Sequence, residues 1–313
     1  MKREPFYVIG FMIKKYTFRK FVNDIHLWLG LASGLLLFVV CLSGTIYTFS
    51  DEIQELLDPA KYKANHQPTD QIQSIDMLIN KLQKRQGGQL AYVIIPHNDD
   101  RAFTISLRHH PKDRFGTAYH VNQFTGQLQG NDDTKAFAFF MWTMNLHRWL
   151  LMKEHGGIVI VGVATLIFVV LCISGVFLWV PRRLRAWKQS FTIKYRAKWE
   201  RVNYDLHNTL GFYALPFLLI MALTGLCWSF EWYSDGVSKL IGAEVWGEYY
   251  AKPITSKPAN GRQQVGVAKV ITQTDAHFNY PGDVTIFCQK TVWELSPYRK
   301  HLQENLLWQR LTK

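Results

Sequence analysis

Two histidines in this 313-residue chain stand in the same local pattern. Asp24-Ile25-His26-Leu27-Trp28-Leu29-Gly30 and Asp205-Leu206-His207-Asn208-Thr209-Leu210-Gly211 both read Asp-x-His-x-x-x-Gly. At the same offset, Leu42-Ser43-Gly44 and Phe49 return as Leu223-Thr224-Gly225 and Phe230. Neutral imidazole is a good ligand for a transition metal and for haem iron. A glycine four residues on lies on the same helix face, where a porphyrin ligated through the imidazole would lie flat and a side chain would collide with it. His26 with Gly30, and His207 with Gly211, therefore offer a ligand and the clearance for it. Two such helices facing each other would clamp one haem between axial imidazoles. A single histidine at a membrane interface is more simply one satisfied by water or a headgroup, and glycines also serve close helix packing. Repetition of both features together favours ligation. Asp24 and Asp205 precede the histidines by two residues, point elsewhere, and read as helix caps.

Three runs free of Asp, Glu, Lys and Arg carry these residues: 25–50, 156–180 and 206–230. Each has about the 20 residues that cross a bilayer as a helix. The net charge of +12 is unevenly spread. Segments 1–24 and 181–205 hold 14 Lys/Arg against 4 Asp/Glu, and the rest of the chain 22 against 20. Three spans place those two basic segments on one side, which is the positive-inside pattern. The sequence thus predicts a multi-pass membrane protein, in contact with membrane lipid, with its N-terminus and the 181–205 loop in the cytoplasm. Nucleic acid is not among its expected partners. The short apolar stretch Phe6–Ile13 ends at Lys14-Lys15 and lacks a small-residue cleavage site, so it reads as a surface anchor rather than a signal peptide. Cys41, Cys172 and Cys227 lie within the spans and Cys288 stands alone outside, which argues against a disulfide framework or an iron–sulfur centre.

The expected organisation runs from a basic N-terminus (1–24) through transmembrane helix 1 (25–50) to an outer α+β module (51–146). Transmembrane helix 2 with an outer extension (147–180), a basic loop (181–205), transmembrane helix 3 (206–230) and a second, incomplete outer module (231–313) follow. Asn23 or Asp24 is read as the cap of the first span. In the first module, Thr69 or Asp70 caps a helix with Ile72, Ile75, Leu78, Ile79 and Leu82 on one face, stopped at Gly87-Gly88. Strands are expected at 90–95, 102–107 and 118–121, with a turn at Gln123-Phe124-Thr125-Gly126. The second segment predicts a helix at 265–272, a turn at Pro281-Gly282-Asp283 and a strand at 284–288. Pro216 should bend the third span. Trp142, Trp149, Trp179, Trp228, Trp232 and Tyr233 fall where an interfacial belt would lie. His147 stands at the opposite end of the spans from His26 and reads equally as an interface residue or a ligand of a second haem. His155 could share its face. His66, His97, His109, His110 and His120 read as surface residues, with contact to a substrate iron as the alternative.

These features resemble the PepSY-associated transmembrane helix proteins, a family that includes iron-regulated inner-membrane ferrisiderophore reductases. The residues that carry the resemblance span nearly the whole chain. They are Asp24–Gly30 running to Ser43-Gly44, Leu146-His147-Arg148, Ser174-Gly175 with Trp179, Asp205–Gly211 running to Thr224-Gly225, and the Asn122-Gln123-Phe124-Thr125-Gly126 turn of a PepSY-like module. The resemblance implies an α-helical polytopic membrane protein with extracytoplasmic α+β PepSY-like modules that binds haem b near both membrane faces. His26 and His207 would ligate the inner haem iron and His147 an outer one, with electrons passing from a cytoplasmic-side donor to a ferric siderophore or iron chelate outside. Full-length members carry a fourth span with a further histidine after the second module. No comparable apolar run follows Phe230, so the chain is naturally short or a fragment, a second chain supplies that helix, or the outer haem is absent. A competing reading is a non-enzymatic membrane protein whose modules bind a partner or modulate a peptidase. Transport is disfavoured, because the spans carry no charged side chain at mid-depth.

Overall fold

A computed structural model of the protein describes residues 16–110, 113, 116–153, 155–181, 187–246, 266–277 and 282–288. The chain divides into two compact units, Met1–Tyr47 with Trp142–Pro253 and Thr48–Met141 with Ile254–Lys313.

The first unit holds three helices long and apolar enough to cross a membrane: α1 (Phe18–Thr48), α6 (Gly157–Trp179) and α8 (Trp199–Ser229). Both α1 and α8 begin about two turns before their histidines. Neither Asn23 nor Asp24 caps α1, and Asp205 does not cap α8; all three lie inside helices, against the sequence expectation. Residues 18–24 and 199–205, before each apolar run, hold no Gly or Pro to break a helix, so the helix extends beyond the apolar boundary. Pro216 sits within α8, which runs on through it. The extensive contact among the spans is α6 against α8. Helix α1 is tied to α6 by Arg19, whose guanidinium donates to the Leu178 carbonyl at 2.5 Å and the Val180 carbonyl at 3.1 Å. A cation there satisfies carbonyls left free at the C-terminal end of α6 and complements its dipole.

His147 does not lie on the second span. It belongs to α5 (Lys135–Trp149), which ends where Leu150 and Leu151 take φ of 50° and 61°. The backbone folds back there, so that a Cβ at Gly157 would overlap the Trp149 carbonyl. Glycine is therefore required at the start of α6. The reversal places His155 off the α5 helix altogether, and it shares no helix face with His147. Helix α7 (Trp187–Ser190) precedes α8, and α9 (Glu231–Ile241) follows it.

The second unit is one α+β module. After α2 (Ser50–Leu57) and α3 (Pro59–Tyr62), α4 (Ile75–Gln86) buries Ile75, Leu78, Ile79 and Leu82, spaced on one face as the pattern predicts. Ser74, not Thr69 or Asp70, is its N-cap residue, and Ile72 lies outside it and is exposed. The strands are β1 (Gln89–Ile95), β2 (Phe103–Arg108), β3 (Thr117–Val121), β4 (Leu128–Asn131) and β5 (Val284–Phe287). They form one sheet in the order β4-β3-β2-β1-β5, and all the pairings are antiparallel. Its core joins the α4 face to Val93, Phe103, Ile105, Leu107, Tyr119 and Val121.

The helix and strand expected to open a second module instead complete this one. Strand β5 pairs with β1, Val93 opposite Ile286. Helix α10 (Val267–His277) packs Val267, Ala268 and Ile271 on the same core. A four-residue strand has little stability alone, and the free edge of β1 gives it a partner. Of the expected turn at Pro281-Gly282-Asp283, Pro281 lies outside the described residues. The pairing also requires 89–95 and 284–287 to lie on the same side of the membrane, as the two crossings by α6 and α8 between them provide. Asp76 holds α10 in place by accepting from the backbone N–H groups of Val267 at 2.8 Å and Ala268 at 3.3 Å. Asp76→Ala removes that cap at an expected cost of about 1 kcal/mol. Hydrogen exchange should then speed up across 267–272 while α4 stays protected; equal protection in both would show that the cap is not what holds α10.

Candidate functional site

The structure brings His26 of α1 and His207 of α8 together, ring centroids 6.4 Å apart and ring planes at 68°. Two metal–imidazole bonds of about 2 Å, with about 1 Å from each bonding nitrogen to its ring centre, would separate such rings by about 6 Å. The observed 6.4 Å lies close to that separation.

The orientation of His26 is fixed from α6. Its Nδ1 lies 2.8 Å from the Ser174 hydroxyl oxygen, and that hydroxyl donates to the Val170 carbonyl at 2.7 Å. Ser174 has thereby spent its only proton, so His26 Nδ1–H is the donor and Nε2 keeps its lone pair for a ligand. Partners of this kind commonly set the tautomer of a metal-binding histidine. Gly175 makes room for the ring: a Cβ there would meet His26 Cε1 at 3.5 Å. The sequence marked Ser174-Gly175 only as part of the family resemblance and gave the pair no role, because a contact between residues so far apart leaves no mark in local spacing.

The two glycines provide the predicted clearance. A Cβ on Gly211 would meet nothing within 4 Å, and one on Gly30 only Leu171 Cδ2 at 3.9 Å. Two facing imidazoles, one with Nε2 set free, and open helix surface beside each form a donor set that suits a bis-histidine haem.

The aspartates anchor these helix ends instead of capping them. Asp24 accepts from Lys20 Nζ at 2.6 Å and from the Tyr16 hydroxyl at 2.9 Å. Asp205, only 3% exposed, takes Arg201 at 2.9 Å and the Lys194 backbone N–H at 3.2 Å. Lys20 and Arg201 occupy equivalent places, so the repeat reaches one turn further back than the sequence reading carried it.

His147 does not join this pair. Its Nδ1–H donates to the Val40 carbonyl at 2.8 Å, about 20 Å further along α1 than His26. A Cβ at Gly44 would lie 2.7 Å from His147 Nδ1, so only glycine admits the ring. Here too Nδ1 is engaged and Nε2 is left available. The motif is thus used twice: Ser174-Gly175 receives His26 and Ser43-Gly44 receives His147. Ser43, Ser174 and Thr224 each turn their hydroxyl proton onto the carbonyl four residues back.

Among the loop and strand histidines, His120 corrects the surface expectation. It is buried, with Nε2 3.0 Å from Asp132 Oδ1. His109 Nε2 lies 3.1 Å from the Tyr119 hydroxyl, whose proton it can accept. His66 stacks on Phe124, centroids 4.1 Å apart. Trp179 is also not exposed at the helix surface. It is buried and stacks on Phe212 at 3.8 Å, with Trp187 and Phe191 edge-on to it. Among the described residues, no group of three His, Cys, Asp or Glu side chains is placed to hold a metal ion.

Membrane-length helices that face two histidines, joined in one chain to an α+β sheet module, define a polytopic α-helical membrane protein. A family model for the PepSY-associated TM region matches residues 24–310, and the chain belongs to that family. No curated protein matches the chain.

Proposed function

We propose that the chain carries electrons across a bacterial inner membrane by way of haem b held between His26 and His207, and delivers them to ferric iron chelates, such as ferric siderophores, outside. The observation that carries this reading is the 6.4 Å pairing of the two rings, with Ser174 2.8 Å from His26 Nδ1. When bound there, the haem supplies a one-electron ferric/ferrous couple in a low-dielectric setting. With His26 and His207 both holding the haem, no iron position would be left open, which would favour electron transfer over oxygen chemistry. Ser174 holds the His26 tautomer, and Gly30 and Gly211 leave the helix surfaces open.

His147 would ligate a second haem at the other end of α1, its opposite ligand coming from a second chain. A donor on the cytoplasmic side would supply the electrons, and the basic flanks support an N-terminus on that side. Reduction serves iron acquisition because ferric iron prefers hard oxygen chelators, whereas ferrous iron is bound less tightly and leaves.

The test is the visible spectrum of the full chain purified in detergent from haem-replete cells, oxidised and dithionite-reduced, with haem counted per chain. A low-spin b-type spectrum at about one haem per chain is expected from the His26–His207 site, and two would mean that His147 has found a partner ligand. A colourless protein would overturn the proposal in favour of a partner-binding role.

A further inference from the structure

The segment leading into α8 combines unpaired charge with exposed aromatic rings. Residues 194–200 are all exposed. Lys194, Arg196 and Lys198 alternate there with Tyr195 and Trp199, which are 74% and 72% exposed. The nearby cations Lys20 and Arg201 are neutralised by Asp24 and Asp205. Among the described residues, Lys194, Arg196 and Lys198 make no salt bridge. Glu200 is the one acid in the stretch.

The stretch is held in shape. The Ala197 N–H closes a turn on the Lys194 carbonyl at 2.9 Å, and the Lys194 N–H is fixed by buried Asp205. This places a cluster of free cations and large amphipathic rings at the end of a membrane-length helix. Such rings sit at the headgroup level of a bilayer, and cations beside them attract anionic lipid. An aqueous partner would satisfy the charges alone and leave the rings in water.

We infer that residues 194–199 form a binding surface for anionic phospholipid, with Lys194, Arg196 and Lys198 on the headgroup phosphate and Tyr195 and Trp199 seated just below it. Asp205 couples this surface to α8 two residues before His207, so lipid held here sets the depth of that helix end. The inference does not depend on haem.

The test is native mass spectrometry of the full chain in detergent, titrated with phosphatidylglycerol or phosphatidylcholine of matched acyl chains. The wild type should prefer phosphatidylglycerol, and each of K194Q, R196Q and K198Q should weaken its binding about fivefold. The triple variant should bind both lipids alike, and a K194R/K198R variant should keep the preference, which separates lost charge from lost fold. Equal binding of both lipids by the wild type, or an undiminished preference in the triple variant, would overturn the inference. So would displacement of phosphatidylglycerol by an acidic peptide at equal concentration, which would assign the surface to a protein partner.

Discussion

Replacing His26 or His207 with alanine is expected, under the proposed haem-binding role, to abolish haem uptake while leaving the chain inserted in the membrane. Each change would remove one of the two proposed ligands and leave the other imidazole facing a gap. Loss of a group that merely orients a metal-bound histidine costs about tenfold to a hundredfold in affinity, so loss of the ligand itself should exceed that. The two variants should behave alike, because the rings face each other across the same space, 6.4 Å apart. Neither change should unfold the helices, since α6 and α8 pack directly and Arg19 still ties α1 to α6. The measurement is haem per chain by reduced-minus-oxidised spectra, with the thermal melting curve as control. Haem content unchanged in both variants would remove the ligand assignment.

The second large effect is expected in the α+β module, at Asp132. Its carboxylate takes Lys61 Nζ at 3.0 Å and His120 Nε2 at 3.0 Å. Lys61 is 3% exposed and its ammonium also lies 4.5 Å from the centre of the Tyr62 ring. Burial works to raise the Asp132 carboxyl, but the hydrogen bonds from His120 and Lys61, and then their charges, outweigh it and hold it below the usual carboxylate range. A carboxyl lowered by folding stabilises the fold above its unfolded-state value and loses that contribution as pH falls through its lowered one. The cluster should therefore be intact at neutral pH and weaken only on acidification below the ordinary carboxylate range. Asp132→Asn leaves Lys61 buried without its counter-charge, which costs about 3 kcal/mol. Faster hydrogen exchange across 117–131 in the full chain would show it. Exchange unchanged at neutral pH would mean that Lys61 finds another partner.

Where local physics decides, the sequence was a good guide. The 3.6-residue spacing of Ile75, Leu78, Ile79 and Leu82 is the buried face of α4, and the charge-free runs are the spans. The repeated His-x-x-x-Gly brought His26 and His207 to notice, and the structure sets the two rings beside each other, 6.4 Å apart. What local pattern cannot carry was missed. Strand β4, Leu-Gln-Gly-Asn, has no β-branched residue and is a strand only because β3 lies beside it. The break after α5 falls on two leucines, which are good helix formers in isolation. The partnership of Ser174 with His26, and that of Gly44 with His147, exist only after the helices have packed. Trp179 was read as a membrane anchor because its position fits one; Phe212, which buries it, is far away in sequence.

The sheet order also sets a timetable for biosynthesis. Strand β1 is made early, but β5, which covers its outer edge, emerges only after α6 and α8 have been synthesised and inserted. At typical elongation rates of roughly 5–20 residues per second, the edge stays bare for on the order of tens of seconds. That edge carries Tyr92, Val93, Ile94 and Ile95, the kind of apolar strand that recruits a neighbouring chain. During this interval a nascent module is open to mispairing with another copy. Anything that shelters the strand until β5 has been made, such as a holdase chaperone, would govern how much protein matures.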